Sequence, residues 1–516
     1  MAATGIGIPG HAGAQQETAR TPGSVDFNVR SFGAAGDGLR LDTNAVNKAI
    51  EAAAASGGTV YFPAGSYLCH SIQLKSKIAL YLDRGATIVA ADSPAPGSGG
   101  PAYDAAEPNA WDQYQDFGHS HFHNSLIWGE GLDNISILGP GLIWGKGLSR
   151  GWGAGPKAED AGVGNKAISL KNCRNVTLRD FSILHGGHFG ILATGVDNLS
   201  IDNLLIDTNR DGMDVDCCRN VRISNCSVNS PWDDGICPKS SFALGYARAT
   251  ENVTITNCYL SGNYQEGTLL DGTRKRFDPG FKVPRTGRIK FGTESNGGFK
   301  NIAVSNCVFD ACQGLALETV DGGLLEDVAI TNITMREITS APIFLRLGSR
   351  MRGPKDTPVG KLRRVSISNI VCSNSASRLG SIISGIPDHA IEDVRLSNIY
   401  IQHRGGGTQA DAGIAVAEKE NAYPEPDMFG AMPAHGFYVR HVKDLEMSHV
   451  EIDAMAPDAR PAFALENVRS ADLLRIGAHQ AAGVPTFALK SVEDFNLYLS
   501  RPLADTHFDH VEEKKL

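Results

Sequence analysis

One short phrase recurs along most of this chain and constrains its fold more than any other feature. In most copies apolar and polar residues alternate, and the alternation then breaks at an Asn. The copies begin at Asn134, Asn175, Asn198, Asn220, Asn252, Asn301, Asp327, Arg364, Asp393 and Asp444. The tightest spacings are 23, 22 and 26 residues, while a longer one of 49 residues contains an obvious loop insertion. Strand-like alternation at a fixed interval predicts stacked β-coils.

The period and the chain length together select the architecture. A repeat of 22 to 26 residues without helical patterning predicts an all-β, right-handed parallel β-helix, with coils about 4.8 Å apart. A leucine-rich horseshoe has a similar period, but the phrase lacks the Leu framework. The 516 residues also exceed the roughly 250 to 300 that one compact core accommodates. We therefore predict a solenoid of about ten coils.

The ends of such a stack need covers, because open sheet edges invite aggregation. Residues 42–58 predict an N-terminal capping helix: Asp42 or Thr43 can cap it, Gly57 and Gly58 end it, and small apolar residues line one face, namely Ala45, Val46, Ala49, Ile50 and Ala53. After about residue 455 strand-like pieces continue without the phrase. We predict a β-helix catalytic domain at 26–455 and irregular C-terminal coils with a tail at 456–516.

Residues 1–25 are small, polar and rich in Pro and Gly, and their HAGAQQ segment resembles the end of a secretory signal without its basic and apolar regions. We interpret this segment as a signal remnant or a disordered segment, and expect a secreted or periplasmic protein. A disordered cytosolic tail is the alternative.

Composition excludes several classes of partner. A formal charge of -9 argues against nucleic-acid binding, and no run of about 18 apolar residues is present to span a membrane. We expect a monomer. Among the ten cysteines, Cys173, Cys226, Cys258 and Cys307 take the place that Ile holds in later copies of the phrase, which indicates a buried apolar position. No CxxC pair occurs, so we predict no metal and no cofactor.

Carboxylates cluster in the middle of the repeat. Asp211 precedes one copy of the phrase, and Asp233 and Asp234 precede the next. The 22 residues from 211 to 233 are about one coil, so the three aspartates should converge on one patch. Neighbouring carboxylates cannot all ionise freely, and one is expected to keep its proton, as in a general acid beside a general base. Ca²⁺ binding, or turn capping by Asp in D-G steps, would explain the same residues.

The combination of these motifs resembles glycoside hydrolase family 28, the polygalacturonase and rhamnogalacturonan hydrolase family. The resemblance rests on FGAAGDG at 32–38, N-x-D-G-x-D at 209–214 and D-D-x-I-x-x-K-S at 233–240, and it extends over about residues 27–408. It implies that Asp233 is the general acid, that Asp211 and Asp234 activate water with inversion at the anomeric carbon, and that Lys239 lies beside them.

Two departures from the family pattern concern the substrate. The region that should carry Gly-His-Gly, residues 286–299, has no His, and the place of Arg-Ile-Lys holds Ala316 and Glu318. An anion opposite a uronate is unfavourable. Arg288 and Lys290, one coil early, or Arg346 could supply the missing positive charge; surface or inter-coil pairing is the other interpretation of these three cations.

Loops around the aspartates indicate how a substrate would enter. Aromatic residues that could stack on sugar rings, above all Trp111 and Tyr114, precede the catalytic coils together with His119, His121 and His123. Three alternating His could instead bind a metal, but no pattern that orients ligands accompanies them. His188 lies about one coil below Asp211 and could contact the sugar or hydrogen-bond within a turn. Long insertions near 264–287 and 403–437 would close an open groove into a pocket.

Three functions remain open at this stage. The favoured one is an exo-acting, inverting glycoside hydrolase on pectic rhamnogalacturonan-type oligosaccharides, which releases a terminal L-rhamnose or galacturonate. A β-helix polysaccharide lyase shares the fold but needs a Lys or Arg base and normally Ca²⁺. A non-catalytic sugar-binding β-helix is the third.

Overall fold

The structure is a computed structural model, and it describes residues 26–94, 99–151, 159–278, 280–501 and 503–516. The predicted N-terminal remnant at 1–25 lies outside the described residues. The chain forms a parallel β-helix, as the repeat predicted.

Copies of the phrase form one continuous parallel stack. Each strand pairs in register with the strand one coil away; for example, Val176 lies opposite Leu199, and Leu199 opposite Val221. The strands of this stack are Asp26–Asn28, Gly58–Phe62, Ile78–Leu82, Asp133–Leu138, Arg174–Arg179, Asp197–Asp202, Arg219–Ser224, Thr250–Thr256, Phe299–Asp310, Leu324–Arg336, Lys361–Ser373, Ile391–His403, Phe437–Ala454, Phe463–Leu474 and Phe487–Tyr498.

A second stack of short strands follows the first after a bend, and the two merge in the longer strands from Phe299 onward. Its separate members are Asp37–Leu41, Gly65–Cys69, Ala86–Ala90, Leu142–Trp144, Ser182–Leu184, Leu205–Asp207, Ser227–Asn229 and Tyr259–Ser261.

The third face of the helix carries the chemistry, and we call it the site sheet. Its strands are Ile72–Gln73, Ile127–Glu130, Lys166–Lys171, Phe189–Thr194, Asp211–Asp216, Ile236–Lys239, Lys290–Phe291, Leu315–Thr319, Ile343–Leu347 and Ser381–Ser384, and Ser381 pairs with Phe437. The remaining described elements are short or terminal: helices Val29–Phe32, Thr43–Ser56, Asp112–Tyr114, Gln409–Ala412 and Pro426–Phe429, and strands Tyr264–Glu266, Lys275–Arg276, Gly477–Ala478 and Thr506–Lys515.

The Asn residues of the phrase occupy the corners between these faces. The first Asn of the phrase has a φ of 54° to 58° in the copies at 134, 175, 198, 220, 252 and 301. Asn tolerates this left-handed conformation better than other residues with a side chain. Its amide also donates to the Asn one coil below at 2.8 to 3.2 Å, which forms a continuous ladder. The phrase therefore encodes a turn as well as a strand.

Apolar residues of the phrase fill the interior. Cys307 lies opposite Ile333, Ile333 opposite Ile370, and Ile370 opposite Ile399, so the interchange of Cys and Ile does mark one buried position. Cys173 is an exception to the prediction, because Arg174 pairs with Asp197 and Cys173 therefore stacks on Val196. All ten cysteines are buried free thiols.

A helix covers the N-terminal end of the stack, as predicted. The helix Thr43–Ser56 forms the N-terminal cap, with all five predicted apolar residues buried. Asp42 does not cap it; its carboxylate accepts hydrogen bonds from the amides of Ala35 and Gly36 at 2.7 and 2.9 Å.

The estimate of about ten coils was too low, and the predicted irregularity of 456–516 was wrong. Phe463–Leu474 and Phe487–Tyr498 continue the stack in register, and Thr506–Lys515 adds one antiparallel strand. These coils conserve the alternation of buried and exposed positions although they lack the phrase. Among the described residues, no helix is long and apolar enough to cross a membrane.

Candidate active site

Two glycines allow the three predicted aspartates to come together. Asp211 begins a strand of the site sheet, and Asp233 and Asp234 lie in the turn before the next strand. The amide of Gly212 donates to the Asp234 carbonyl at 2.9 Å. A Cβ atom at Gly212 would lie 2.4 Å from the Gly235 carbonyl oxygen, so only glycine permits this approach of the two coils.

The aspartates converge as the one-coil spacing predicted. One carboxylate oxygen from each of Asp211, Asp233 and Asp234 lies within 4.8 Å of the others. Asp211 and Asp234 are almost fully buried, whereas the Asp233 side chain is 27% exposed. Arg210, one coil below, donates to Asp233 Oδ2 at 2.6 Å. Asp233 is therefore the member of the cluster most open to a substrate.

Their surroundings drive the three pKa values in different directions. Burial, followed by the charges of Asp214 and Asp233, raises the pKa of Asp211 well above its usual range. Burial also raises the pKa of Asp233, although Arg210 opposes the shift. For Asp234, burial is outweighed by Lys290 and Arg288, which lower its pKa. The environment thus favours the ionised form of Asp234 and disfavours the ionised forms of Asp211 and Asp233.

The cations Arg288 and Lys290 contact this cluster directly. Arg288 Nε donates to Asp234 Oδ1 at 2.9 Å, and Lys290 Nζ lies 3.5 Å from Asp234 Oδ2. Both also bind Glu425 Oε1, at 2.6 Å from Arg288 and 2.9 Å from Lys290. Burial alone would lower the pKa of each cation, but Glu425, Asp234 and Glu318 raise both well above their usual values. These cations favour the ionised form of Asp234.

Glu318 lies behind the cluster. Its side chain is fully buried, and its Oε2 is 3.9 Å from Lys290 Nζ. Burial raises its pKa to about 8, although Lys290 opposes this. The sequence left two roles for Glu318: it could accept hydrogen bonds from the hydroxyls of a neutral sugar, or it could pair with a relocated Arg or Lys. Its burial beside Lys290 fits the second role.

A second group of charges, absent from our sequence analysis apart from His119 and Lys239, lies beside the cluster. Asp214 is further along the strand that Asp211 begins, and Lys239 is on the strand that follows Asp233 and Asp234. His119 Nε2 lies 3.2 Å from Asp214 Oδ2, and Lys239 Nζ lies 3.9 Å from the same oxygen. Lys239 also donates to Glu294 Oε2 and to the Gly292 carbonyl, both at 3.3 Å. Lys239 thus lies beside the aspartates as predicted, but it pairs with Asp214 and Glu294.

Two groups of residues have ligand atoms close enough to hold a cation: His119 with Asp211 and Asp214, and the three aspartates of the cluster. Side-chain cations already compensate both groups. Lys239 approaches Asp214, and Lys290 and Arg288 approach Asp234. The two groups of carboxylates therefore favour charge compensation by Lys and Arg side chains over compensation by a metal ion.

The three alternating His residues have separate partners. His119 faces Asp214, His121 faces Asp112 at 3.2 Å, and His123 contacts Glu130 at 2.8 Å. The structure therefore does not assemble a metal site from these three. His188 is buried against Phe117, with ring centroids 5.3 Å apart, and burial lowers its pKa well below the usual value. It is a neutral imidazole beneath the aspartates.

Trp111 and Tyr114 stack on each other with ring centroids 6.2 Å apart, and both meet the edge of Phe242. Neither belongs to the wall of the cavity beside Asp233. The predicted sugar-stacking role does not follow from this geometry; both rings anchor their loop to the turn after Lys239.

Arg346 contacts main-chain oxygens rather than the aspartates. Its guanidinium donates to Ser384 Oγ at 2.9 Å and to the carbonyls of Gly385, Glu418 and Lys419, each at 3.0 Å. Burial, followed by the charge of Arg440, lowers its pKa to about 10. The side chain fastens the 403–437 insertion to the site sheet.

That insertion, which we call the strap, builds one wall of a cavity of about 430 Å³. The volume is within the roughly 300 to 1,000 Å³ typical of small-ligand sites. The lining residues are Asp233, Asp234, Pro284, Thr286, Lys290, Gln313, Thr339, Ser340, Leu379, Tyr423, Glu425 and Asp427. Both predicted insertions contribute, the first through Pro284 and Thr286 and the strap through Tyr423, Glu425 and Asp427.

Sequence reasoning missed several of these residues. Arg210 and Asp214 stand within the N-x-D-G-x-D motif at 209–214 and could have been found by the same one-coil spacing that united the aspartates. Tyr423 and Glu425 carry no such signal, because they lie in a stretch without repeat.

Comparison with known proteins agrees with the β-helix fold. A family model described as rhamnogalacturonase A/epimerase, pectate lyase-like, matches residues 27–107, and a right-handed β-helix model matches residues 166–350. A probable polygalacturonase of Vitis vinifera is 24% identical over 72% of this chain and 73% of its own length. The plasmin and fibronectin-binding protein A of Streptococcus pneumoniae is 29% identical over 47% of this chain and 32% of its own.

Among solved structures, a family 28 exopolygalacturonase of Yersinia enterocolitica superposes with a TM-score of 0.63 at 19% identity, covering 87% of this chain and 78% of that one. This likeness concerns the fold. The chain is therefore similar to the polygalacturonase-like glycoside hydrolases of family 28 in fold, in sequence and in the motifs that carry the aspartates.

Proposed function

We propose that this protein is an exo-acting, inverting glycoside hydrolase that acts on pectic rhamnogalacturonan-type oligosaccharides and releases a terminal sugar, L-rhamnose in preference to galacturonate. The observation that carries the proposal is that the pKa values of two adjacent carboxyl groups at the cavity are shifted in opposite directions. Asp233 opens to the cavity with a raised pKa, and Asp234 beside it is kept ionised by Arg288 and Lys290. One carboxyl can donate a proton while its neighbour accepts one.

In the proposed reaction Asp233 transfers its proton to the glycosidic oxygen as the bond to the anomeric carbon breaks. Water attacks that carbon and gives a proton to Asp234. The products are a free sugar and a shortened chain, and one water is consumed. The resemblance implied a share in activating water for Asp211. Burial and the neighbouring carboxylates raise its pKa and so disfavour its charged form, and we therefore assign it the orientation of the water by hydrogen bonding.

Inversion rests on the family resemblance. The nearest oxygens of the three aspartates lie within 4.8 Å of one another, which is closer than the roughly 6.5 to 9.5 Å carboxyl separation typical of inverting enzymes. The stereochemistry therefore needs a direct measurement, which the experiment below provides.

Exo action is supported by the strap. Tyr423, 48% exposed, stands at the cavity with Lys290 Nζ 5.5 Å from its ring centroid. An exposed aromatic face is a suitable platform for a sugar ring. Because Tyr423, Glu425 and Asp427 of the strap form one wall of the cavity, we expect the strap to limit how far a chain extends past the bound sugar. A chain end fits such a pocket, and an internal segment of polymer does not.

Digestion of a panel of defined pectic oligosaccharides tests the proposal. Rhamnose-ended and galacturonate-ended rhamnogalacturonan fragments and homogalacturonan would be incubated with the protein, and the released sugar identified by anion-exchange chromatography. Proton NMR in the first minutes would give its anomeric form. We expect free L-rhamnose with inverted configuration. Release of internal fragments, a retained anomer or equal rates on homogalacturonan would contradict the exo, inverting and rhamnogalacturonan parts respectively.

The lyase alternative meets a chemical obstacle. It needs a Lys or Arg that gives up its proton, and the acids around Arg288 and Lys290 raise the pKa of both well above the usual values. Appearance of an ultraviolet-absorbing unsaturated end would nevertheless establish a lyase.

A non-catalytic function is the second candidate, because the Streptococcus pneumoniae relative is named for binding plasmin and fibronectin. Oligosaccharide binding without turnover at any pH would support it.

Since pectic polymers lie outside the cytoplasm, we also propose that the protein is secreted or periplasmic, which cell fractionation would test.

A further inference from the structure

The two cations nearest the catalytic cluster share one acidic partner that comes from outside the repeat. Glu425 Oε1 lies 2.6 Å from Arg288 and 2.9 Å from Lys290. These cations are the groups that would otherwise bind a carboxylate ligand, since charge-assisted hydrogen bonds to Arg and Lys are the strong ones in proteins. Glu425 occupies the place that a sugar carboxylate would need.

Charge around the two cations is already balanced. Asp234 and Glu425 are ionised, because Lys290 and Arg288 outweigh burial and lower the pKa of both acids. Glu318, the third acid nearby, has a pKa of about 8 and is largely protonated at neutral pH. Two positive charges thus face two negative ones. A uronate entering here would add an unmatched anion.

The strap holds Glu425 in place through buried arginines. Arg346 donates to the carbonyls of Glu418 and Lys419, and Arg440 donates to those of Val416 and Ala417 at 2.7 and 3.1 Å. Both guanidinium groups also lie over the ring of Phe429, 5.4 and 5.8 Å from its centroid. Anchors on both sides fix the turn that carries Glu425.

The remainder of the cavity wall suits a neutral sugar. Its charged lining residues are four carboxylates, Asp233, Asp234, Glu425 and Asp427, against Lys290. Thr286, Gln313, Thr339 and Ser340 add hydroxyl and amide groups that can hydrogen-bond sugar hydroxyls. Leu379 and Tyr423 supply apolar surface.

We propose that Glu425 is a specificity-determining residue: it neutralises Arg288 and Lys290 from the strap, excludes a uronate from the sugar site beside Asp234, and leaves that site to a neutral sugar such as L-rhamnose. This inference depends on the proposed function only for the identity of the protein's natural substrate. The discrimination between an acidic and a neutral sugar is a property of the site and can be measured without turnover.

Binding measurements on inactive protein test it directly. In an Asp233→Asn background, the affinities of L-rhamnose and D-galacturonate would be determined by NMR titration with and without Glu425→Gln. We expect galacturonate to bind more weakly than rhamnose at first, and Glu425→Gln to raise galacturonate affinity about tenfold, the equivalent of one modest charge interaction. Asp427→Asn is the matched control, since it removes one exposed carboxylate of the same wall that has no described contact with the two cations.

Several results would overturn the proposal. One is tighter binding of galacturonate than of rhamnose with Glu425 intact, a measurement that needs no change in the strap. The others are an unchanged galacturonate affinity in a folded Glu425→Gln protein, or an equal gain in Asp427→Asn, which would assign the effect to overall charge.

Hydrolysis assays separate this inference from the proposed function. If the unmodified protein cleaves none of the oligosaccharides, the proposed function fails while the binding comparison still decides the role of Glu425. If it cleaves rhamnose-ended chains, Glu425→Gln should shift the ratio of kcat/KM values toward galacturonate-ended chains.

Discussion

The Asn corner and the site sheet belong to the same coils but are built in opposite ways. At the corner, Asn175, Asn198 and Asn220 adopt the same φ of 56°, and each amide bonds the same atom of the residue below. On the site sheet, Lys290 stacks on Ala316, Ala316 on Phe344, and Phe344 on Ile382. The corner repeats one residue, whereas the row of the site sheet that begins at Lys290 changes its residue at every coil.

This difference separates stability from chemistry. A ladder of identical residues satisfies its own hydrogen bonds and needs nothing from elsewhere in the chain. The residues of the site sheet differ from one another and include charged side chains that need partners. Loops such as the strap supply those partners. Substitutions at the corner should therefore change stability alone, and substitutions on the site sheet should change activity or its dependence on pH.

The largest effect is expected at Asp233. Asp233→Asn should lower kcat by about 10²- to 10⁴-fold, because an amide cannot donate the proton that the leaving oxygen needs. Initial rates on the cleaved oligosaccharide give the change, and a thermal melt checks the fold. A variant that kept more than about a tenth of the rate would remove Asp233 from the acid role.

Glu318→Gln should alter how stability depends on pH. The folded pKa of about 8 exceeds the unfolded value near 4.5, so the native state keeps a proton that the unfolded state has lost, and wild-type stability falls as pH rises through this window. The unfolding free energy of the variant relative to wild type should therefore rise by roughly 3 kcal/mol between pH 5 and pH 8. Denaturant titrations at both pH values measure it; parallel pH profiles would contradict the buried, protonated state.

Arg346→Met should loosen the strap. The change leaves the carbonyls of Gly385, Glu418 and Lys419 without their donor, which should cost about 2 kcal/mol of unfolding free energy. We also expect faster proteolysis within 403–437 and a higher KM. Arg395→Met, which removes an arginine 71% exposed in its ion pair with Glu446, is the control and should change neither. Equal effects of the two substitutions would remove the anchoring role.

The smallest effect is expected at the corner. Asn220→Ala places at a φ of 56° a residue that tolerates the left-handed conformation poorly, and it removes the ladder hydrogen bonds to Asn198 and Asn252. We expect a loss of about 1 kcal/mol in unfolding free energy without a change in kcat. Asn220→Gly tolerates the same φ and isolates the contribution of the hydrogen bonds. A fall in kcat in either variant would break the separation between corner and site.

The repeated phrase allowed the fold to be predicted from the sequence. The alternation in the phrase predicted the strands, the Cys and Ile exchange at 307, 333, 370 and 399 predicted an interior position, and the interval of 22 residues predicted the meeting of Asp211 with Asp233. Each is a local rule applied once per coil, so short stretches of sequence contain it. The terminal coils were underestimated because they obey the alternation but not the phrase.

Only the tertiary structure decided what surrounds the aspartates. The sequence allowed Arg346 either to supply a charge for a uronate or to pair at the surface or between coils, and the structure shows that it binds carbonyls of the strap. Glu425, without any motif of its own, reaches Arg288 and Lys290. The sequence by itself determined the coil, the capping helix and the convergence of the three aspartates, because periodicity transmits registry from one coil to the next. The charge partners depend on how a loop without repeat folds back over the coils, and its contacts join residues far apart in the chain, for which no local pattern exists.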